Sequence, residues 1–201
     1  MIAAIVLAAG LSRRMGRPKM NLPWGNTTVV GRIISMLSQS DLDEIFVVVG
    51  GAQGEVEEAV QNAQVEKPVK TLLNPHFADA EMTYSAKVGL KALGERFEAA
   101  MIVLGDQPQI EVKVVNLILS TYLATQANLV VPSYRMRRGH PWLVVRALWP
   151  MVLSLNPSQT LRDFLHDQAN QIRYVTVKTP SILQDIDTPT DYDQFRPVEG
   201  H

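Results

Sequence analysis

Runs of consecutive apolar residues alternate along the chain with segments in which apolar residues recur every three or four positions. Ile2–Ala8 is apolar throughout, as expected of a parallel strand buried on both faces. Glu44–Val49, Val69–Leu73, Ala99–Leu104 and Asn128–Val131 read as further strands, the first of them stopped by Gly50-Gly51. Between them, Thr27–Leu37 sets Val29, Val30, Ile33, Ile34 and Leu37 at helical spacing, with Asn26 or Thr27 as the cap. Gly54–Gln61 reads as a short acidic helix, Thr83–Leu93 as a helix with Ala86, Leu90 and Leu93 on one side, and Val112–Tyr122 as another. Strands alternating with helices over short linkers predict an α/β fold, a mostly parallel sheet with helices on both faces.

The pattern changes after Pro132. Ser133–Arg146 reads as a basic turn running into a strand at Trp142–Val145, and Thr160–Gln168 reads as a helix. Gln171–Val177 alternates as a strand whose inward face is ambiguous, and Ile182–Ile186 is short and apolar. Thr188-Pro189 opens a last helix, because proline at the first turn needs no N–H partner. The tail from Arg196 is expected to be loose. There is no internal repeat and no low-complexity linker, and 201 residues suffice for one sizeable core, so residues 1–201 are read as a single domain.

Composition narrows the partners. A net charge of −1 argues against general binding to nucleic acid or to an anionic membrane. The cations are instead concentrated near positions 13–19 and 135–138, which suits a compact anionic ligand. The chain has no cysteine, hence no disulfide framework and no thiolate metal site. Its start lacks the basic residues that precede the apolar run of a signal peptide, and no apolar run approaches the roughly 18 residues of a membrane span. These features are those of a cytoplasmic, enzyme-like domain.

Three clusters carry candidate chemistry. In Ile5–Lys19 a strand breaks at two alanines and Gly10, and Arg13, Arg14, Arg17 and Lys19 follow. Small residues let backbone N–H groups approach a phosphate chain, and the cations neutralise it; the alternative is a solvated basic turn. The loop is neither G-x-x-x-x-G-K-[ST] nor G-x-G-x-x-G, so it is neither a P-loop nor a dinucleotide fingerprint. Asp106 directly follows a buried strand, on the rim where such sheets bind ligands, and is either a hard oxygen ligand for Mg²⁺ or a turn residue before Pro108. Asp185 and Asp187 fall on one face of an extended segment, where like charges call for a cation or for hydrogen-bond donors. His76 and His166 carry no argument for chemistry, and no serine, histidine and acid combination suggests covalent catalysis.

Leu7–Lys19 resembles the signature of the MobA-like NTP transferases, most nearly that of the molybdenum cofactor cytidylyltransferases. It matches at Leu7, Ala8, Ala9, Gly10, Ser12, Arg14, Met15, Gly16 and Lys19. Gly105-Asp106-Gln107-Pro108 and Asp185-Ile186-Asp187-Thr188-Pro189 resemble two later motifs of that family. Asn74–Ser85 is similar to its base-bordering loop at Asn74, Pro75, Met82, Thr83 and Ser85, with Glu81 where the family has glycine. Arg138, Gly139 and His140 resemble its acceptor-side stretch.

The resemblance implies a Rossmann-like, GT-A-like three-layer sandwich that transfers a nucleotidyl group from a nucleoside triphosphate to a phosphate acceptor and releases pyrophosphate. It implies Arg14, Lys19 and Asp106 as catalytic residues. Leu7, Ala8, Ala9, Gly10, Ser12, Asn74, Thr83 and Ser85 would join Arg14 and Lys19 around the nucleotide. Mg²⁺ would lie on Asp106 with Asp185 or Asp187, Asp187 being nearer the turn. Ala9 favours CTP, since cytidylyl members read L-A-A-G and guanylyl members L-A-G-G. The implied acceptor is molybdopterin or its molybdenum cofactor, with room for a transient contact with a molybdoenzyme or its chaperone. Two alternatives stand beside this reading: another nucleotide or a sugar or alcohol phosphate on the same fold, and a nucleotide-binding or cofactor-binding module without turnover.

Overall fold

A computed structural model describes residues 1–63, 65–78 and 82–197. In chain order the elements are β1 (Ile2–Ala8), β2 (Pro23–Trp24), β3 (Thr27–Thr28), α1 (Val29–Ser38), β4 (Glu44–Val49), α2 (Gln53–Asn62), β5 (Val69–Leu73) and α3 (Met82–Ala92). They continue with β6 (Ala99–Leu104), α4 (Val112–Thr125), β7 (Leu129–Tyr134), β8 (Arg137–Arg138), β9 (Trp142–Val145), α5 (Trp149–Ser154), α6 (Leu161–Asp167), β10 (Ile172–Thr176) and α7 (Pro189–Phe195). The main sheet runs β10-β7-β9-β6-β1-β4-β5, with β8 paired to β7.

The centre of the sheet is parallel, as the unbroken apolar runs require: β1 lies between β4 and β6, and all seven of its residues are buried. Its alternate side chains serve two cores. Ala4, Val6 and Ala8 pack with Val30, Ile33 and Ile34 of α1, Val56 of α2 and Val115 and Ile118 of α4. Ala3, Ile5 and Leu7 pack on the other face with Ala86 and Leu90 of α3, Trp149 of α5 and Phe164 of α6. The result is the three-layer α/β sandwich expected.

One feature differs from the reading of the sequence, the cap of α1, and two others fill in what it left open. Strand β9 is antiparallel to both β6 and β7, so the sheet is mixed. The cap of α1 is Thr28, one residue beyond Thr27: its hydroxyl accepts from Gly31 N–H at 3.1 Å, while Thr27 and Thr28 pair with Trp24 and Pro23 in a two-strand ribbon. Strand β10 forms an edge along β7 and buries Val175, leaving Arg173, Tyr174 and Thr176 exposed. No described helix is long and apolar enough to cross a membrane.

Candidate active site

Strands β1 and β6 run side by side and end together, which brings the loops that follow them onto one rim. Gly105 makes the approach closest. Its N–H donates to the Leu7 carbonyl at 3.0 Å, and a Cβ at this position would lie 2.7 Å from that same oxygen. Asp106 is thereby held beside the loop after β1.

Ser12 organises that loop. It adopts a positive φ of 52°, and its carbonyl accepts from Met15 N–H at 2.9 Å and Gly16 N–H at 3.2 Å. Its hydroxyl accepts from Lys19 N–H at 3.0 Å. The Lys19 side chain consequently turns inward, where only 10% of it is exposed. Its ammonium lies 2.5 Å from Asp106 Oδ2 and 3.1 Å from Asp187 Oδ1. Burial opposes the charge on Lys19, but the Asp106 and Asp187 carboxylates outweigh burial and raise its pKa above the ordinary lysine value. Arg14 completes the cluster with a 2.8 Å ion pair to Asp187 Oδ2, from a side chain that is largely exposed.

Asp187 is delivered by α7. Thr188 and Asp191 form a reciprocal capping box at its start, and Asp191 Oδ2 also accepts from the Asp187 N–H at 3.2 Å. The phenol of Tyr192 donates to the Pro23 carbonyl at 2.5 Å and anchors α7 against the β2–β3 ribbon. The two acids expected to share a cation thus part company. Asp187 joins Asp106 through Lys19, whereas Asp185 accepts from Gln107 Nε2 at 2.7 Å. Burial of its carboxyl and then the charge of Asp106 raise the pKa of Asp185 above the usual carboxylate value.

A cavity of about 220 Å³ opens beside this cluster. Of the expected nucleotide-binding residues, Leu7, Ala9, Gly10, Lys19, Asn74 and Ser85 line it, as does Asp106. Gly10 has open space where a Cβ would stand. Asn74 is buried and held at both ends of its amide: Nδ2 donates to Ser85 Oγ at 3.1 Å and Oδ1 accepts from His76 N–H at 2.9 Å. Ala8 and Thr83 are buried but do not line the cavity; Ala8 belongs to the core under α1 and α4. Ser12 and Arg14 do not line it; they hold Lys19 and Asp187, respectively. Glu81 lies outside the described residues.

Arg138, Gly139 and His140 stand away from the cavity, against the segment that leads to Asp185. Gly139 abuts the Ile182 carbonyl so closely that no Cβ fits, and His140 N–H donates to that carbonyl at 3.1 Å. Arg138 lies over the ring of Tyr174, 5.5 Å from its centroid. Burial pushes the His140 imidazole down to about 4, so the ring is neutral near pH 7.

Phe77 and Gln107 are among the residues at the site that the sequence did not single out. Phe77 lines the cavity and packs on Gly50 and Gly51, where a Cβ would meet its side chain at 2.8 Å in both cases. The Gly50-Gly51 doublet was the available signal. Gln107 bridges to Ile182 and Asp185, and nothing in its type or spacing announces that.

The donor set suits a hard divalent cation. Oδ1 of Asp106 is buried without a hydrogen-bond partner among the described residues, and Lys19 joins the same carboxylate to that of Asp187. Among the described residues no three His, Cys, Asp or Glu side chains form a complete cage, so oxygens of a substrate would have to supply the remaining ligands.

The sequence profile of the MobA-like NTP transferase domain matches residues 4–172. The chain belongs to this family. It is a nucleotidyltransferase with a Rossmann-like fold. It is 28% identical to the molybdenum cofactor cytidylyltransferase of Escherichia coli, over 95% of this chain and 93% of that protein. A probable molybdenum cofactor guanylyltransferase of Mycobacterium ulcerans is 31% identical over 65% of this chain and 61% of its own length. A Mycobacterium tuberculosis protein solved in complex with manganese superposes with a TM-score of 0.73 at 26% identity, covering 96% of both chains.

Proposed function

We propose that the chain transfers a cytidylyl group from CTP to a terminal phosphate of a molybdopterin-type acceptor, with Mg²⁺ as the metal of the reaction. The observation that carries this reading is the Asp106–Lys19–Asp187 cluster on the rim of the Gly10 cavity. It combines a buried cation and two carboxylates with small residues that leave room for phosphates.

In this reading the loop around Gly10 and the Lys19 ammonium bind the triphosphate, while Phe77, Asn74 and Ser85 border its nucleoside end. The acceptor phosphate is already ionised at neutral pH, so no residue need act as a strong general base. Its oxygen bonds to the α-phosphorus, the bond from that phosphorus to the bridging oxygen of the β-phosphate breaks, and pyrophosphate carries away the electron pair. Lys19 stabilises charge on the departing phosphates. Asp106 and Asp187 would hold the metal, which supplies Lewis-acid polarisation of the phosphoryl oxygens when bound. Arg14 and Gln107 position the two acids. The similarity to the E. coli cytidylyltransferase and the Ala8-Ala9-Gly10 sequence support CTP.

The guanylyltransferase relative supports a second reading, GTP with the same acceptor. Thermal stabilisation by CTP, GTP, ATP and UTP, each with and without Mg²⁺, separates the two. A nucleotide at about 100 times its dissociation constant adds roughly 2.7 kcal/mol, a clear shift. Stabilisation by CTP alone, enhanced by Mg²⁺, is expected. A shift with GTP alone selects the second reading, and no shift with any nucleotide defeats both. Asp106→Asn is expected to abolish Mg²⁺-dependent turnover, and near-wild-type turnover would remove Asp106 from the metal.

A further inference from the structure

The charges around Lys19 bear on what the site can bind first. Asp106 and Asp187 present two carboxylates, and Lys19 and Arg14 present two cations within ion-pair distance of them. These four charges balance one another, with the carboxyl of Asp185 beside them on Gln107. The space between the carboxylates is filled by the Lys19 ammonium, in contact with one oxygen of each. A divalent cation entering alone would have to share the two acids with the buried Lys19 ammonium that already contacts both, which like-charge repulsion in a poorly solvated site opposes. A triphosphate changes both terms. It brings several negative charges, and its oxygens give Lys19 acceptors other than Asp106 and Asp187.

We propose that Lys19 acts as an internal counter-cation that keeps free divalent metal off Asp106 and Asp187, so that the site takes its metal only together with a triphosphate. This rests on the nucleotidyltransfer reading of the site and adds the form of the ligand: the metal–triphosphate complex, with no prior metalloprotein. Arg14 has a smaller share, because its side chain is 71% exposed and its one ion pair among the described residues is to Asp187.

The test is Mn²⁺ binding to the full chain, read as loss of the free-ion signal in electron paramagnetic resonance. Wild-type protein without nucleotide is expected to bind Mn²⁺ weakly, and addition of a non-hydrolysable CTP analogue to tighten it. Lys19→Met keeps the aliphatic stem and removes the ammonium. It is expected to bind Mn²⁺ alone at least about tenfold more tightly than wild type. Adding Asp106→Asn to Lys19→Met should abolish that gain. Arg14→Met lies on an exposed side chain that folding does not require, so it serves if Lys19→Met fails to fold; it should show a smaller gain of the same sign. Equal Mn²⁺ affinity of nucleotide-free wild type and both variants would overturn the proposal. The Mn²⁺ comparison stands apart from the transfer reading: failure of every nucleotide to bind would remove that reading and leave the comparison of ligand-free proteins intact.

Discussion

The backbone N–H of Ile186 donates to the carbonyl of Asp106 at 2.9 Å. One residue on, Gln107 Nε2 reaches Asp185 Oδ1 at 2.7 Å and the Ile182 carbonyl at 3.3 Å. The two acidic segments are thus joined through backbone and side chain, which fixes the distance at which Asp106 and Asp187 face each other. Asp185 then belongs to the latch between the segments, and Asp187 to the cluster.

Breaking the latch should therefore impair the cluster without touching it. Gln107→Glu replaces an amide donor by a second carboxyl facing Asp185, in a site where the residue is 2% exposed. Supporting residues of this kind typically contribute 10–100-fold, and a loss of about that size in kcat/KM is expected, with a raised metal requirement. Adding Asp185→Asn restores a donor facing an acceptor and should recover most of the loss. Steady-state kinetics over a range of Mg²⁺ concentrations, with melting curves of both variants, checks this; no recovery in the double variant would refute the latch.

Gly105 and Gly10 should respond oppositely to the same added methyl group. At Gly105 the Cβ meets a backbone oxygen, that of Leu7, which cannot swing aside. Gly105→Ala should destabilise the fold by about 1–3 kcal/mol and shift Asp106. Urea denaturation measures the first effect, and loss of metal-dependent turnover the second.

At Gly10 no atom lies within 4 Å of the added Cβ. Gly10→Ala should leave stability within about 0.5 kcal/mol of wild type. It should still weaken nucleotide binding, because the methyl group occupies space that the phosphates need. Parallel denaturation and nucleotide-induced thermal shifts would expose an error: a destabilised Gly10→Ala variant, or one with unaltered binding, contradicts the reading of that space.

The legible and illegible parts of this molecule divide on a physical line. Strands β1, β4 and β6 are buried on both faces, so their apolar runs marked them at the observed boundaries. Trp142–Val145 was legible as a strand but not in its direction, because four apolar residues carry no sign of parallel or antiparallel pairing. Asn26, Thr27 and Thr28 can all cap a helix, and only the pairing of Thr27 with Trp24 selects Thr28. Lys19, Asp106 and Asp187 were recognisable as chemistry-bearing residues. Their mutual contact is another matter, since Lys19 and Asp187 are 168 positions apart and meet only through the fold. The six-residue α5 went unread: it is short and carries Pro150 in its first turn.

His140 allows a prediction about pH. Its imidazole is held neutral by burial, with a pKa of about 4 in the fold against about 6.5 in an unfolded chain. As pH falls below about 6.5 the unfolded chain takes up a proton that the folded one refuses, so folding loses free energy down to about pH 4 and no more below it. At 1.36 kcal/mol per pKa unit the full effect is at most about 3 kcal/mol, and less because the residue keeps some exposure. Between pH 7 and pH 5, wild type should accordingly lose more stability than His140→Gln, and the His140 ring protons should show no titration near pH 6.5 in nuclear magnetic resonance. Titration near pH 6.5, or parallel stability profiles of the two proteins, would show the ring to be solvated.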